Sequence, residues 1–230
     1  GMTYTELCVA IKDYCENEFS TVELNTFITQ TETRVYNTVQ FPALRKNVTG
    51  TLTATNKYLS APTDFLSVYS LAVIDADNTY HYLLNKDVNF IRQAYPNPTT
   101  DTGIPKYYAL FGPTISGSTI TDELSFIVGP TPDYAYMAEL HYYYYPESIT
   151  TSATGHTWLG DNFDTVLLYG SLVEAYTYMK GEQDMMALYD TKYKEALALA
   201  KRLGDGLERS DAYRSGQYRQ APLPQNRGVA

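Results

Sequence analysis

The stretch Asp161-Asn-Phe-Asp-Thr-Val-Leu-Leu-Tyr-Gly-Ser-Leu-Val-Glu-Ala-Tyr-Thr-Tyr-Met-Lys180 decides the fold. Asp161 can cap a helix that runs to about Lys180. Its apolar residues fall on more than one stripe: Phe163, Val166, Leu167 and Gly170, then Leu168, Leu172, Ala175, Tyr176 and Met179. A helix that is apolar over most of its circumference needs partners on several sides and belongs at the centre of a bundle.

Candidate partners lie at both ends of the chain. After the break at Gly181, Asp184 can cap a last helix with Met185, Tyr189, Tyr193, Ala196, Leu197 and Ala200 on one face, ended by Gly204 and Gly206. At the start, Thr3-x-x-Glu6 forms a capping box before Leu7, Ala10, Ile11, Tyr14 and Cys15, which recur at helical spacing. Ser20-x-x-Glu23 forms a second, before Leu24, Phe27, Ile28, Thr31, Val35 and Val39, with Pro42 as the stop.

Between these helices, from about Val48 to Pro146, the pattern is that of strands. Predicted strands cover 49–55, 65–74, 79–84, 105–111, 123–128 and 134–145, with a turn at Asp75-Ala-Asp-Asn78 and a short helix over 86–94 capped by Asn85. The reading is α+β: a bundle of N- and C-terminal helices (3–45 and 158–204), an inserted antiparallel β lobe (46–157) and a flexible extension (205–230). That extension is rich in Ser, Gly, Pro, Arg and Gln and poor in apolar residues.

With 230 residues, 44% hydrophobic and 19% charged, the chain can bury a real core. No apolar run approaches the ~20 residues of a membrane span, and Gly1-Met-Thr-Tyr4 lacks the start of a signal peptide. Gly1 reads as a remnant of tag removal. The net charge of −9 is uneven. Residues 201–230 hold Lys201, Arg202, Arg209, Arg214, Arg219 and Arg227 against Asp205, Glu208 and Asp211, leaving +3 there and −12 on the rest. An acidic body argues against sequence-specific nucleic-acid binding and suits a wall that DNA slides past.

No catalytic set emerges. G-x-S-x-G, P-loop, G-x-G-x-x-G and H-E-x-x-H patterns are missing, and His81, His141 and His156 lack metal-ligand spacing, so neither cofactor nor metal is expected. Asp161 and Asp164 fit a helix start, and Asp75 and Asp77 a turn. Cys8 and Cys15, seven apart on one helix, are about 10 Å apart at ~1.5 Å rise per residue, too far for a disulfide. Of the 23 tyrosines, the run His141-Tyr-Tyr-Tyr-Tyr145 is the densest. Strand alternation puts Tyr143 and Tyr145 on the face of His141, and Tyr142 and Tyr144 on that of Leu140. Such a face can be packed sheet, a subunit interface or a sugar-binding platform.

Taken in order, Lys57-Tyr-Leu-Ser-Ala-Pro-Thr-Asp-Phe-Leu66, Gly103-Ile-Pro-Lys-Tyr-Tyr-Ala-Leu-Phe-Gly112 and Phe126-Ile-Val-Gly-Pro-Thr-Pro132 resemble the head-to-tail adaptor proteins of tailed bacteriophages. So do Glu139-Leu-His-Tyr-Tyr143, Trp158-Leu159 and Leu167-Leu-Tyr-Gly-Ser-Leu172. Tail tubular proteins of short-tailed phages are similar in plan. The resemblance covers about 3–203 and implies a non-enzymatic virion subunit, assembled in the host cytoplasm into a twelve-fold ring beneath the portal protein. It also implies contacts with tail proteins, DNA passing through the channel, and no membrane. The family's C-terminal extension orders on docking to the portal. Here that is residues 205–230, with Arg209, Tyr213, Arg214, Tyr218 and Arg219 as anchors, of types enriched at interface hot spots. Pro222-Leu-Pro-Gln-Asn226 does not match the family. The alternative class is a carbohydrate-binding tail component using the tyrosine face.

Overall fold

The computed structural model describes residues 1–112, 114–116, 119–121 and 124–214, with 114–116, 119–121 and 204–214 described as backbone alone. The chain divides into two compact units. One comprises Gly1–Ala43 and the described part of Glu147–Ala230; the other is Leu44–Pro146. The fold is α+β, with helices from both chain ends and a β region inserted between them.

The first unit contains α1 (Tyr4–Cys15), α2 (Thr21–Thr38), α4 (Trp158–Asn162), α5 (Asp164–Met179) and α6 (Gln183–Arg214). Both N-caps form: Thr3 accepts from the Glu6 N–H, and Ser20 accepts from the Glu23 N–H while donating to its carboxylate. Helix α2 stops at Thr38, ahead of Pro42, which opens a 3-10 turn instead. Helix α5 is the hub and packs against α1, α2, α4 and α6. Its Val166, Leu167, Leu168, Leu172 and Ala175 are buried, as expected of a helix apolar on several sides. Gly170 lets two neighbours close in, since a Cβ there would run into Thr31 Cγ2 and lie 3.0 Å from the Tyr193 ring. Buried Thr31 and Ser171 donate to carbonyls one turn back, Phe27 at 2.9 Å and Leu167 at 2.7 Å, so neither hydroxyl is orphaned.

Several helix limits differ from expectation. Asp161 caps nothing; it lies inside α4, whose N-cap is Thr157, accepting from the Gly160 N–H. Phe163 then breaks the path, at φ −139° and ψ 54°, because its ring joins Phe41 at 5.7 Å and Trp158 at 5.5 Å in a buried aromatic cluster. The turn after α5 is made by Lys180, in the left-handed region, with Gly181 beside it. Helix α6 begins at Gln183 rather than after Asp184. It also continues through Gly204 and Gly206 to Arg214, so the first ten residues of the expected flexible extension are helical in backbone. Glycine costs a helix about 1 kcal/mol without forbidding it, and no proline follows until Pro222.

Segment 147–157, expected with the β lobe, belongs to the helical unit. Glu32 on α2 holds it: one carboxylate oxygen accepts from Ser148 Oγ at 2.6 Å, the other from the Ile149 N–H at 3.0 Å. Burial raises the Glu32 pKa above its ordinary 4.5, and these two hydrogen bonds only partly oppose the rise.

The second unit is a β sandwich with a helix on one side. Its strands are β1 (Arg45–Thr51), β2 (Tyr58–Ser60), β3 (Phe65–Ile74), β4 (Tyr80–Tyr82), β5 (Leu84–Asn85), β6 (Thr102–Gly103), β7 (Tyr107–Phe111), β8 (Thr114–Ser116), β9 (Thr119–Thr121), β10 (Ser125–Gly129), β11 (Thr131–Pro132) and β12 (Met137–Tyr144). One sheet runs β1-β12-β3-β4, antiparallel throughout; the other runs β2-β10-β7-β5, with β5 parallel to β7. Phe65, Leu71, Val73, Leu140 and Tyr142 of the first sheet meet Tyr108, Phe126 and Val128 of the second. Helix α3 (Val88–Ala94) covers the far side of the second sheet, with Ile91 against Ala109 and Ile127. Gly129 permits that approach, because a Cβ would meet Ile91 Cγ2 at 2.6 Å. The N-cap of α3 is Asp87, not Asn85, which is drawn into β5.

Two outcomes follow for stability. Gly170→Ala should cost about 1–3 kcal/mol in urea unfolding, overpacking outweighing the helix-propensity gain of about 1 kcal/mol. Adding Thr31→Ser, which deletes the clashing methyl, should recover much of the loss. For Glu32, the folded chain keeps a proton at pH values where the unfolded chain has released it. That contribution is complete below pH 4.5 and is lost as pH rises through the elevated folded pKa. The stability of wild type relative to Glu32→Gln should therefore fall as pH rises from 4.5 and then level off. A pH-independent difference in urea midpoint would contradict this.

Candidate interaction surfaces

The tyrosine run lies on β12, between β1 and β3 in the first sheet. Strand β3 has ten residues against eight in β12, and register shifts at His141/Tyr142 and Tyr143/Tyr144 leave Tyr69 and Leu66 as extra residues on β3. Side-chain alternation along β12 nevertheless holds. Leu140 and Tyr142 enter the sandwich core with Tyr144 packed beside them, and His141 and Tyr143 take the other face.

On that outer face Tyr69 organises the local packing. Its ring lies 5.0 Å from His141 and 6.2 Å from Tyr143, edge to face, and the Arg45 guanidinium sits 4.3 Å from its centroid. Burial lowers the His141 pKa, the Arg45 charge adds to this, and Glu139 opposes it weakly. Of the two candidate interface residues, Tyr143 is buried at 7% exposure, whereas Tyr145 retains 38%. A sugar platform needs an open ring face, which Tyr143 does not present.

The core side of this sheet ends in a polar cluster. Asp64 accepts from Tyr142 Oη at 2.8 Å and pairs with Lys46 Nζ at 2.8 Å, while Lys46 lies 4.1 Å from the Tyr144 ring centroid. Burial alone would raise the Asp64 pKa; the bonds from Lys46 and Tyr142 outweigh it and hold the carboxyl below its ordinary value. Burial and the Asp64 charge push Tyr142 up to about 12. A carboxylate fixed in this way is structural, with no proton to give near neutrality.

The other chemically capable groups are similarly occupied. His81 Nε2 meets Asp75 Oδ2 at 2.8 Å, and His156 Nδ1 meets Asp161 Oδ1 at 3.0 Å. Burial raises Cys8 and takes Cys15 to about 11, leaving both as protonated, unbridged thiols. Among the described residues no group of three or more His, Cys, Asp or Glu could hold a metal, and no helix is long and apolar enough to cross a membrane.

Several surfaces among the described residues are open, and three carry apolar side chains of interest. A groove of about 380 Å³ runs between α5 and α6, lined by Phe163, Val166, Tyr169, Ala196, Leu199 and Leu203 among others. Another, of about 260 Å³, lies beside β1 between the two sheets, against Val48, Gly50, Leu59, Ala138 and Leu140. The third is the β4 margin, where Tyr80, Tyr82 and Leu84 are exposed. Sequence reading missed it, although the alternation Tyr80-His-Tyr82 was its signal. Of the expected anchors, Arg209, Tyr213 and Arg214 lie in the backbone-only part of α6, one helical turn separating the first two. Tyr218 and Arg219 lie outside the described residues.

A comparison with curated proteins finds no match. A family model described as SU10 adaptor protein matches residues 2–221, nearly the whole chain, and stops just before the Pro222-Leu-Pro-Gln-Asn226 run. With the match spanning both units, the chain belongs to the SU10 adaptor protein family and is a structural adaptor protein of a bacteriophage.

Proposed function

We propose that this chain is a non-enzymatic virion subunit that forms a ring beneath the portal protein and joins it to the tail proteins, with DNA passing through the channel. The observation that carries the reading is the family match, which continues beyond the packed helices to residue 221 and so includes the basic C-terminal segment. Arg209, Tyr213, Arg214, Tyr218 and Arg219 all fall inside it. These five are the portal anchors in this proposal. Arginine offers bidentate charge-assisted bonds and tyrosine a rigid amphipathic ring, the two commonest hot-spot chemistries.

Helix α6 narrows the expectation that the whole extension orders on docking. Its backbone is helical through Arg214, so the first part of the docking segment needs no ordering on contact, and the conformational cost of attachment is reduced accordingly. The charge division fits the same role. A body of −12 repels phosphate, while the +3 segment faces a protein partner.

A chain truncated after Gly204 should fold with an unchanged thermal midpoint and lose attachment to its cognate portal in a pull-down or by electron microscopy. Tyr213→Ala with Arg214→Ala in the full chain should weaken attachment at least about tenfold, the effect of 1.4 kcal/mol. Attachment of the truncated chain at wild-type affinity would sink the mechanism.

A further inference from the structure

The first sheet of the β unit has two undefended edges. In β1, six consecutive residues, Lys46–Thr51, are exposed. The Leu52 N–H donates to Tyr136 O at 2.8 Å, which sets the phase of the β1–β12 ladder. Alternate residues Lys46, Val48, Gly50 and Leu52 therefore bond inward, and the backbone N–H and C=O groups of Asn47, Thr49 and Thr51 point outward. Among the described residues no hydrogen bond reaches the N–H of these three.

At the opposite margin, bonds from Asp75 N to Thr79 O and from Leu83 N to Leu71 O set the phase of β4. Thr79, His81 and Leu83 face β3, so the backbone groups of Tyr80 and Tyr82 point outward. Their side chains are exposed as well, 48% and 64%, with ring centroids 6.3 Å apart.

Free edges are normally blunted by lysine, proline or a bulge. Neither edge has such a guard. Asn47-Val-Thr-Gly-Thr51 and Thr79-Tyr-His-Tyr-Leu-Leu84 contain no proline, lysine, arginine or carboxylate. The two cations at the start of β1 are turned onto their own sheet, Arg45 on Tyr69 and Lys46 on Asp64. The carboxylate near these edges, Glu139, is already engaged, accepting from Asn47 Nδ2 at 2.6 Å and hydrogen-bonded by Tyr80.

Topology specifies the occupant. Four strands in strict antiparallel alternation mean that β1 and β4 run in opposite directions. A second copy placed in the same orientation beside β4 presents its β1 antiparallel to it, which continues the alternation. We infer that β4 of one copy pairs with β1 of the next, so that the outward groups of Tyr80 and Tyr82 meet two of Asn47, Thr49 and Thr51 and the sheet runs on between subunits. The contact is heterologous, the kind that closes rings or grows filaments. The added strand also shields the apolar groove beside β1, at Val48, Gly50, Leu59, Ala138 and Leu140. This inference rests on the ring reading and supplies its contact.

Sedimentation velocity on the full chain tests it. Wild type should associate beyond the dimer as concentration rises. Thr49→Pro and Tyr82→Pro each remove one outward donor at an edge where proline is tolerated. Each alone should stay monomeric with unchanged circular dichroism. A one-to-one mixture should stop at dimers, because only one pair of intact edges remains. Should a proline variant fail to fold, Thr49→Lys and Tyr82→Lys give the same readout. Dimers of the Tyr82 variant alone would mean that β1 pairs with β1 and overturn the head-to-tail contact. A wild type that stays monomeric at the highest attainable concentration, or a mixture that does not pair, also overturns it. Association unaffected by either variant sinks the edge pairing but leaves the ring reading intact, which portal attachment of the truncated chain tests separately.

Discussion

Covering helix α5 is the constraint on which the rest of the structure depends. Val166, Leu167, Leu168, Leu172 and Ala175 look in several directions, and no single neighbour can bury them all. The chain answers with α1 and α2 from its start and α6 from its end. Once both ends are committed to one helix, whatever lies between must leave and return at nearly the same place. Strands β1 and β12 meet that requirement, since the entering Arg45 pairs with the departing Tyr143. The two ends of the insertion thus meet within its own sheet. Gly170 matters for the same reason: without a side chain there, Thr31 and Tyr193 approach α5 from two sides at once.

Polar groups in this structure serve mainly to anchor loops and strand ends. Glu32 reaches from α2 to the backbone at Ile149, holding a segment that lacks regular structure over most of its length. Asp64 does the equivalent in the sandwich, gathering Lys46 and Tyr142 and offering its carbonyl to the Tyr145 N–H. Fixed donors hold the Asp64 carboxyl below its ordinary value, whereas burial holds Glu32 above its own, and both serve as anchors. The aromatic residues divide in a similar way. Rings such as Phe41, Phe65 and Phe126 pack inside their own unit, while others, Tyr80 and Tyr82 among them, remain exposed.

How much of this could be read from sequence depends on the range of the interaction responsible. The caps at Thr3 and Ser20 are decided within four residues and were legible. So was β3, whose predicted limits of 65–74 match the observed strand because its residues are apolar on both faces apart from Ser67 and Ser70, with β-branched Val68, Val73 and Ile74 among them. The break at Phe163 was not legible, since Phe41, more than a hundred residues away, helps decide it. The same holds for Asn85, taken by a parallel pairing with Tyr108 rather than left to cap α3. The bulges in β3 have no local signature either; they reflect ten residues matched to eight. Helix α6 failed in the opposite way, with two glycines overread as a stop. For the candidate surfaces, sequence pointed to Tyr143 by alternation alone, and alternation cannot reveal that Tyr69 bulges out beside it.

These limits bear on where an assembly protein keeps its function. An enzyme's site is a convergence of side chains, and residue types betray it even without a structure. A contact made by a strand edge is carried by backbone groups that every residue has, so Asn47-Val-Thr-Gly-Thr51 looks like ordinary strand in the sequence. Its meaning comes from being outermost in its sheet, and that depends on strand order, fixed by β12 taking the place between β1 and β3. Side-chain chemistry enters only as an absence of guards, which is recognisable once the edge is known to be an edge. For the inferred edge pairing the informative residues are the plain threonines of β1 and the two exposed tyrosines of β4, whose backbone directions follow from two hydrogen-bond phases set within the chain itself.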